Sequence, residues 1–240
     1  MCARYGMKRW LTIGPLMFVF GTFVSHAREN ISVAAIGSYT TSTRFLYNVD
    51  RNDIFIDDKY FSYNFGFGLD VRMLAYSDDV LIGFNIEKIK TLDQTARVVY
   101  TNGQEYNIPV SEGFIVYPFE ISGYFLIPFS SEDVRVYLGG GVGWYFGERI
   151  YSIASAQAVT LNSPSGFGIH VLTGADVRLT SKIAVRGELK FRDPQFDSVN
   201  QFAESSTTYN GLKVLLDSSL SKTRVNLNGI TYGLGLVLLL

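Results

Sequence analysis

Residues 134–147 read VRVYLGGGVGWYFG, and their alternation decides the fold class. Every second residue from Val134 gives Val134, Val136, Leu138, Gly140, Val142, Trp144 and Phe146. Those between are Arg135, Tyr137, Gly139, Gly141, Gly143, Tyr145 and Gly147. One side is apolar and ends in large aromatics, while the other is small or polar. A strict period of two is the mark of a β-strand with two unlike faces.

The same alternation recurs along the chain. Phe61, Tyr63, Phe65, Phe67, Leu69, Val71 and Met73 oppose Ser62, Asn64, Asp70 and Arg72. Val80, Ile82, Phe84 and Ile86 oppose Asn85 and Glu87. Ile115, Tyr117, Phe119, Ile121 and Phe125 oppose Glu120, Ser122 and Tyr124. Phe167, Ile169, Val171 and Val177 oppose His170, Asp176 and Arg178; Val185, Leu189 and Phe191 oppose Arg186, Glu188, Lys190 and Arg192. Residues 230–240 form the last strand, and a weaker pattern within 30–47 supplies the first, so eight strands are expected.

Their connections alternate between short and long. Ser77-Asp78-Asp79, Ser130–Asp133 and Thr180-Ser181 are tight polar turns suited to hairpins. The segments 48–59, 91–113, 148–165 and 193–223 read as long loops. Within the second, ARVVYTNGQEYNIPV carries Asn102-Gly103, the pair favoured in a type I′ turn. Pro118 removes one ladder hydrogen bond, and a bulge is expected to absorb it.

The composition suits a membrane barrel. Apolar residues are 47% of the 240, and charged residues only 18%, against about a quarter in soluble domains. Yet no apolar run of about 20 residues follows the N-terminal region, which argues against spanning helices. That region has a basic start at Lys8-Arg9, an apolar stretch over 10–24 and the small-x-small tripeptide Ser25-His26-Ala27. It reads as a secretory signal peptide, 1–27, ahead of one domain over 28–240; an uncleaved anchor is the alternative. Cleavage would remove Cys2 and the cations Arg4, Lys8 and Arg9, taking the formal net charge from −1 to −4. The mature chain then has no thiol chemistry, and an acidic balance without a basic cluster argues against nucleic acid.

Eight consecutive antiparallel strands suggest an up-and-down barrel. A soluble lipocalin-like carrier would turn the apolar stripe inward, whereas a membrane barrel turns it into lipid. Volume favours the second, because an eight-stranded barrel has an interior just wide enough for side chains. The expected lumen then holds Asp70, Glu87, Glu120, Asp176 and Glu188 with Arg72, Arg135, Arg178, Arg186 and Lys190. Five acids against five bases predict a paired, closed interior rather than a selective ring; a narrow gated passage is the other reading. Tyr63, Tyr117, Trp144, Phe146, Phe167 and Phe191 lie on the lipid stripe near the long connections, where an interfacial aromatic girdle belongs.

With these features the chain resembles the small bacterial outer-membrane barrels of the OmpA-transmembrane, OmpX and OmpW type, the outer membrane protein beta-barrel domain family. The resemblance spans 28–240 and implies residence in the outer membrane and contact with its lipid. It also implies recognition by the barrel-assembly machinery through a C-terminal signal, matched here by Gly233, Gly235, Leu238 and Leu240, with leucine where an aromatic is usual. The role it implies is structural or interactive, exerted by a monomer through its long extracellular loops on a ligand it does not identify. An OmpW-like channel for small, hydrophobic solutes is the runner-up, and a lateral opening in the wall would be its sign.

Little points to chemistry. His170 lies on the lumenal stripe with no nucleophile near it in sequence, so it is expected to be a hydrogen-bonding residue and the protein not an enzyme. Asp50, Asp53, Asp57 and Asp58 lack the spacing of an EF-hand, so neither a metal nor another cofactor is expected. GGGVG at 139–143 sits within a strand, which excludes a phosphate-binding loop.

Overall fold

The computed structural model describes residues 31–47, 58–75, 79–128, 130, 131 and 133–240. The leader expected at 1–27, Asp50, Asp53 and Asp57, and Ser77-Asp78 of the first turn lie outside them. In chain order the strands are β1 (Ile31–Thr40), β2 (Thr43–Tyr47), β3 (Asp58–Phe61), β4 (Asn64–Leu74), β5 (Val80–Thr101), β6 (Gln104–Leu126) and β7 (Val134–Ile153). They continue with β8 (Ala156–Thr160), β9 (Ser165–Arg178), β10 (Ile183–Arg192), β11 (Gln195–Phe202), β12 (Ser206–Tyr209), β13 (Leu212–Leu215), β14 (Ser221–Asn226) and β15 (Ile230–Leu239).

Eight of these strands close on themselves. β1, β4, β5, β6, β7, β9, β10 and β15 pair in that order, all antiparallel, and β15 returns to β1 through nine pairs from Ser32↔Leu239 to Thr40↔Thr231. This is an eight-stranded antiparallel up-and-down barrel, whose closed wall leaves no open edge. Register keeps the stripes intact: Val142 lies opposite Ile121 and Ile169, and Gly141 opposite Ser122 and His170. A slip of one residue would exchange the two faces.

The faces are inverted relative to a soluble protein. Phe67, Phe84, Ile121, Leu138, Trp144, Ile169, Leu189 and Leu234 point outward and are exposed. Arg72, Glu120, Arg186 and Arg192 point inward and are buried. Water would favour the opposite arrangement, whereas charge facing lipid at the bilayer midplane costs about 2–4 kcal/mol per Arg or Lys. The barrel is built to stand in hydrocarbon, and the lipocalin-like orientation is excluded.

Lumenal glycines make the interior fit. A Cβ on Gly174 would stand 2.5 Å from the Tyr137 hydroxyl, and one on Gly83 would stand 2.8 Å from the Tyr124 ring. Both rings lie across the lumen in the space those positions leave.

The segments expected as loops are largely strands. β5, β6 and β7 run for 22, 23 and 20 residues, about twice the ~9–11 that cross a bilayer. The stretch 91–113 is therefore a stiff continuation of two wall strands. Its turn, Asn102-Gly103, has φ of +50° and +72°, the positive pair of a type I′ hairpin. Beyond the rim, β8, β11, β14, β2 and β3 continue the sheet from β7, and β12 pairs with β13 as a separate hairpin. The first strand thus ends at Thr40, and β2 leaves the barrel for this extension. Phe61, expected on the lipid face, instead ends β3 and is buried within the extension. Pro118 makes no bulge: pairing between β5 and β6 skips two positions, from Ile86↔Phe119 to Ile89↔Val116, with the register unchanged.

Candidate functional site

The lumen is filled by a chain of alternating charges. At the short-turn mouth, Arg186 grips Asp176 through Nε (2.7 Å) and Nη2 (2.8 Å), and its Nη1 donates to Asp70. Arg72 Nε donates to the same Asp70 oxygen at 2.7 Å, and Arg72 Nη2 to Glu188 Oε2 at 2.6 Å. Lys190 Nζ lies 3.5 Å from Glu188 and donates to Glu120 Oε2 at 2.8 Å. Arg192 Nε lies 3.3 Å from Glu120, and its Nη2 donates to Glu87 Oε2 at 2.6 Å. The Ser38 hydroxyl, donating to Glu87, ends the chain near the rim.

Tyrosines line this chain from the side. Tyr145 donates to Glu120 (2.7 Å) and Tyr137 to Glu188 (3.2 Å), while the Arg72 guanidinium lies 3.9 Å and 4.5 Å from the Tyr124 and Tyr137 ring centres. Such buried charges are tolerable only because each meets an opposite charge and further donors or acceptors. Among the described residues, the spaces between these side chains include one of about 10 Å³ beside Ser38, Glu87 and Arg192 and one of about 30 Å³ at the mouth. Those volumes have room for isolated waters and for nothing larger.

The structure brings Asp70, Arg72, Glu87, Glu120, Asp176, Arg186, Glu188 and Lys190 together. Arg135 and Arg178 sit beside Asp176, around a small recess at the mouth. Arg192 was missing from the expected set although it joins Glu120 to Glu87 toward the rim end of the chain; its place two residues past Lys190 on the same stripe was the available signal. Of the aromatic set, Tyr63, Tyr117, Trp144, Phe146, Phe167 and Phe191 are all exposed, and Trp144 packs edge-on against Phe167 at 5.4 Å. Gly233 and Gly235 pair with Glu188 and Arg186 across β10, while Leu238 and Leu240 are exposed.

His170 has a partner that its sequence neighbourhood did not reveal. The Ser122 hydroxyl lies 2.7 Å from His170 Nε2, across 48 residues of chain. Among the described residues Nδ1 of His170 has no hydrogen-bond partner, so none of their carboxylates orients the ring as hydrolytic triads require, and both residues are buried. Among the described residues no three His, Cys, Asp or Glu side chains converge as a metal needs, and Asp58 pairs with Arg44 at 2.7 Å.

Above the charges lies an apolar layer. Ile89, Phe114, Val116 and Tyr145 from the wall meet Phe45, Phe61, Phe196, Val225 and Leu227 from the extension. Phe196 sits so close to the wall that a Cβ on Gly147 would stand 2.3 Å from its ring. Phe114 and Val116 occupy the stripe expected to be polar, so alternation alone left this layer unseen.

A third tier tops the apolar layer. Glu112 accepts from Arg149 Nη2 (2.5 Å) and from the Tyr47 hydroxyl (2.8 Å), and Lys59 Nζ stands 3.6 Å away. Burial and the adjacent Glu112 carboxylate push the Tyr47 phenol well above its ordinary pKa. Over this floor opens a cavity of about 570 Å³, walled by β5, β6 and β7 on one side and by β11 and the 215–221 segment on the other.

No protein-family model matches the chain, and no curated protein matches it by sequence. Solved structures with similar topology include Neisserial surface protein A (TM-score 0.47, 10% identity, covering 90% of this chain and 100% of that one). Others are Ail, the attachment invasion locus protein of Yersinia pestis (0.43, 15%, 88% and 99%), and the outer membrane protease OmpT from Escherichia coli (0.44, 10%, 91% and 99%). None is similar enough to lend its role; the architecture stands on this chain's own strand pairing.

Proposed function

We propose that this protein is a bacterial outer-membrane barrel that does not conduct, and that it carries a folded extension into the medium to engage a ligand or partner there. The observation that carries this reading is the unbroken Asp176-to-Glu87 charge chain beneath a layer of phenylalanines. A solute pathway would need space along that axis, and the side chains occupy it. The wall strands, by contrast, extend far past the membrane and support a second sheet. On this reading Tyr63, Tyr117, Trp144, Phe146, Phe167 and Phe191 sit at the lipid–water boundary, where amphipathic rings are favoured. The C-terminal strand with Gly233, Gly235, Leu238 and Leu240 is the segment read by the assembly machinery, and the barrel works as a monomer. The buried Ser122–His170 pair is a structural hydrogen bond, and the function is non-catalytic.

Planar-bilayer recording of the purified protein tests this directly. Wild-type protein is expected to give no sustained single-channel currents, and steady unitary conductance would reject the sealed lumen. The narrow-channel reading draws on one feature, the two unpaired positions at Tyr117-Pro118 beside Glu87-Lys88. Pairing resumes at once on either side of them.

A further inference from the structure

We infer that the cavity in the extension is a binding site for a small acidic saccharide, a sugar ring bearing one carboxylate. This deepens the reading above and rests on the extension standing clear of the membrane. The cavity's volume, about 570 Å³, falls within the ~300–1,000 Å³ of small-molecule sites. Its lining combines apolar rings with convergent polar groups: Tyr151 and Phe202, packed at 5.4 Å, beside Asn200, Gln201, Ser219 and Ser221. Rings of that kind suit the C–H faces of a sugar, while amides and hydroxyls, which both donate and accept, match its hydroxyl groups.

Charge decides between a neutral and an acidic ligand. The floor is already neutralised, since Glu112 is engaged by Arg149, Tyr47 and Lys59, and Lys59 also pairs with Asp93 at 2.7 Å. Asp217, the other acid of the lining, keeps its charge, accepts from the Ser219 backbone N–H at 2.9 Å and belongs to the 215–221 wall, opposite the wall of β5 that carries Arg97. Arg97 is different. It lines the cavity and is exposed, and among the described residues no acid lies within ion-pair distance of it. A guanidinium without an acid partner among the described residues, set beside hydrogen-bonding groups, fits a carboxylate, which it holds through two parallel N–H donors.

Calorimetric titration of the full chain in lipid nanodiscs tests the assignment, with methyl glucuronide and methyl galacturonide set against methyl glucoside and methyl galactoside, and acetate as the bare carboxylate. At least one uronide should bind saturably at one site, with its neutral counterpart and acetate at least tenfold weaker. Arg97→Ala should remove the preference for the acid, and Ser219→Trp, which fills the mouth from an exposed position, should abolish binding. Folding of each variant is checked by its migration with and without boiling. The assignment is overturned if neither uronide binds, if the neutral sugar or acetate binds as well, or if the two variants bind as wild type does. Absence of binding by protein that resists carbonate extraction from membranes sinks this assignment alone. Protein released by carbonate sinks the surface reading on which it rests.

Discussion

Arg72 shows how closely the lumen is balanced. Its guanidinium lies over two tyrosine rings and bonds Asp70 and Glu188, so its removal leaves two buried carboxylates short of a partner. Breaking a buried ion pair from one side costs about 3–5 kcal/mol. Arg72→Met should therefore lower the urea midpoint of the boiled/unboiled gel shift sharply. Adding Glu188→Gln to it should recover part of that loss, because contacting residues are not additive; strictly additive losses would show that the two do not act as a pair. The stripe made most of this network legible, since a period of two sorts every wall residue to one face. Pairing partners were not legible. Ser122 and His170, or Arg192 and Glu87, are 48 and 105 residues apart and meet only through register.

Among elements, the wall strands were readable and the extension was not. Long alternation with short turns leaves few alternatives, whereas β2, β3, β8 and β14 are four to six residues long and pair with distant stretches. One local signal was available, Asn210-Gly211, which turns β12 into β13 with φ of +48° and +79°. The pairing of β11 with β14 is reinforced by Asp197, held by Arg224 through 2.7 Å and 3.1 Å bonds. The hydrogen bond from Arg224 keeps the Asp197 pKa below its ordinary value. A depressed carboxylate contributes stability above its unfolded pKa of about 3.9 and loses it as pH falls through the folded value. Because the pair is partly exposed and screened by solvent, the effect is small, about 0.5 kcal/mol. Pepsin should accordingly cut the extension about twofold faster at pH 2.5 than the rest of the chain's behaviour at pH 4 would give, and Asp197→Asn should abolish that increment. An increment that survives the substitution would place the acid sensitivity elsewhere.

At the scale of the whole molecule, orientation governs everything else. Spin labels at Leu189 and Val136, on the outward stripe of the wall, should collide with dissolved oxygen more than with a water-soluble nickel chelate. A label at Ser219 in the extension should show the reverse. Chelate-dominated collisions at Leu189 would mean that the wall faces water and would overturn the membrane reading.

The extension also depends on the seam where the chain's ends meet. β2 follows β1, β14 precedes β15, and the two pair at Arg44↔Asn226 directly beyond the last seam pair, Thr40↔Thr231. β2 has β3 beside it and β14 has β11, but the two meet each other only when the first and final wall strands have been zipped together. The two parts of the outer sheet, β3 with β2 and β14 with β11 and β8, are therefore joined, and Tyr47 brought to the cavity floor, only when the wall closes, so a half-inserted chain offers an external molecule an unfinished site.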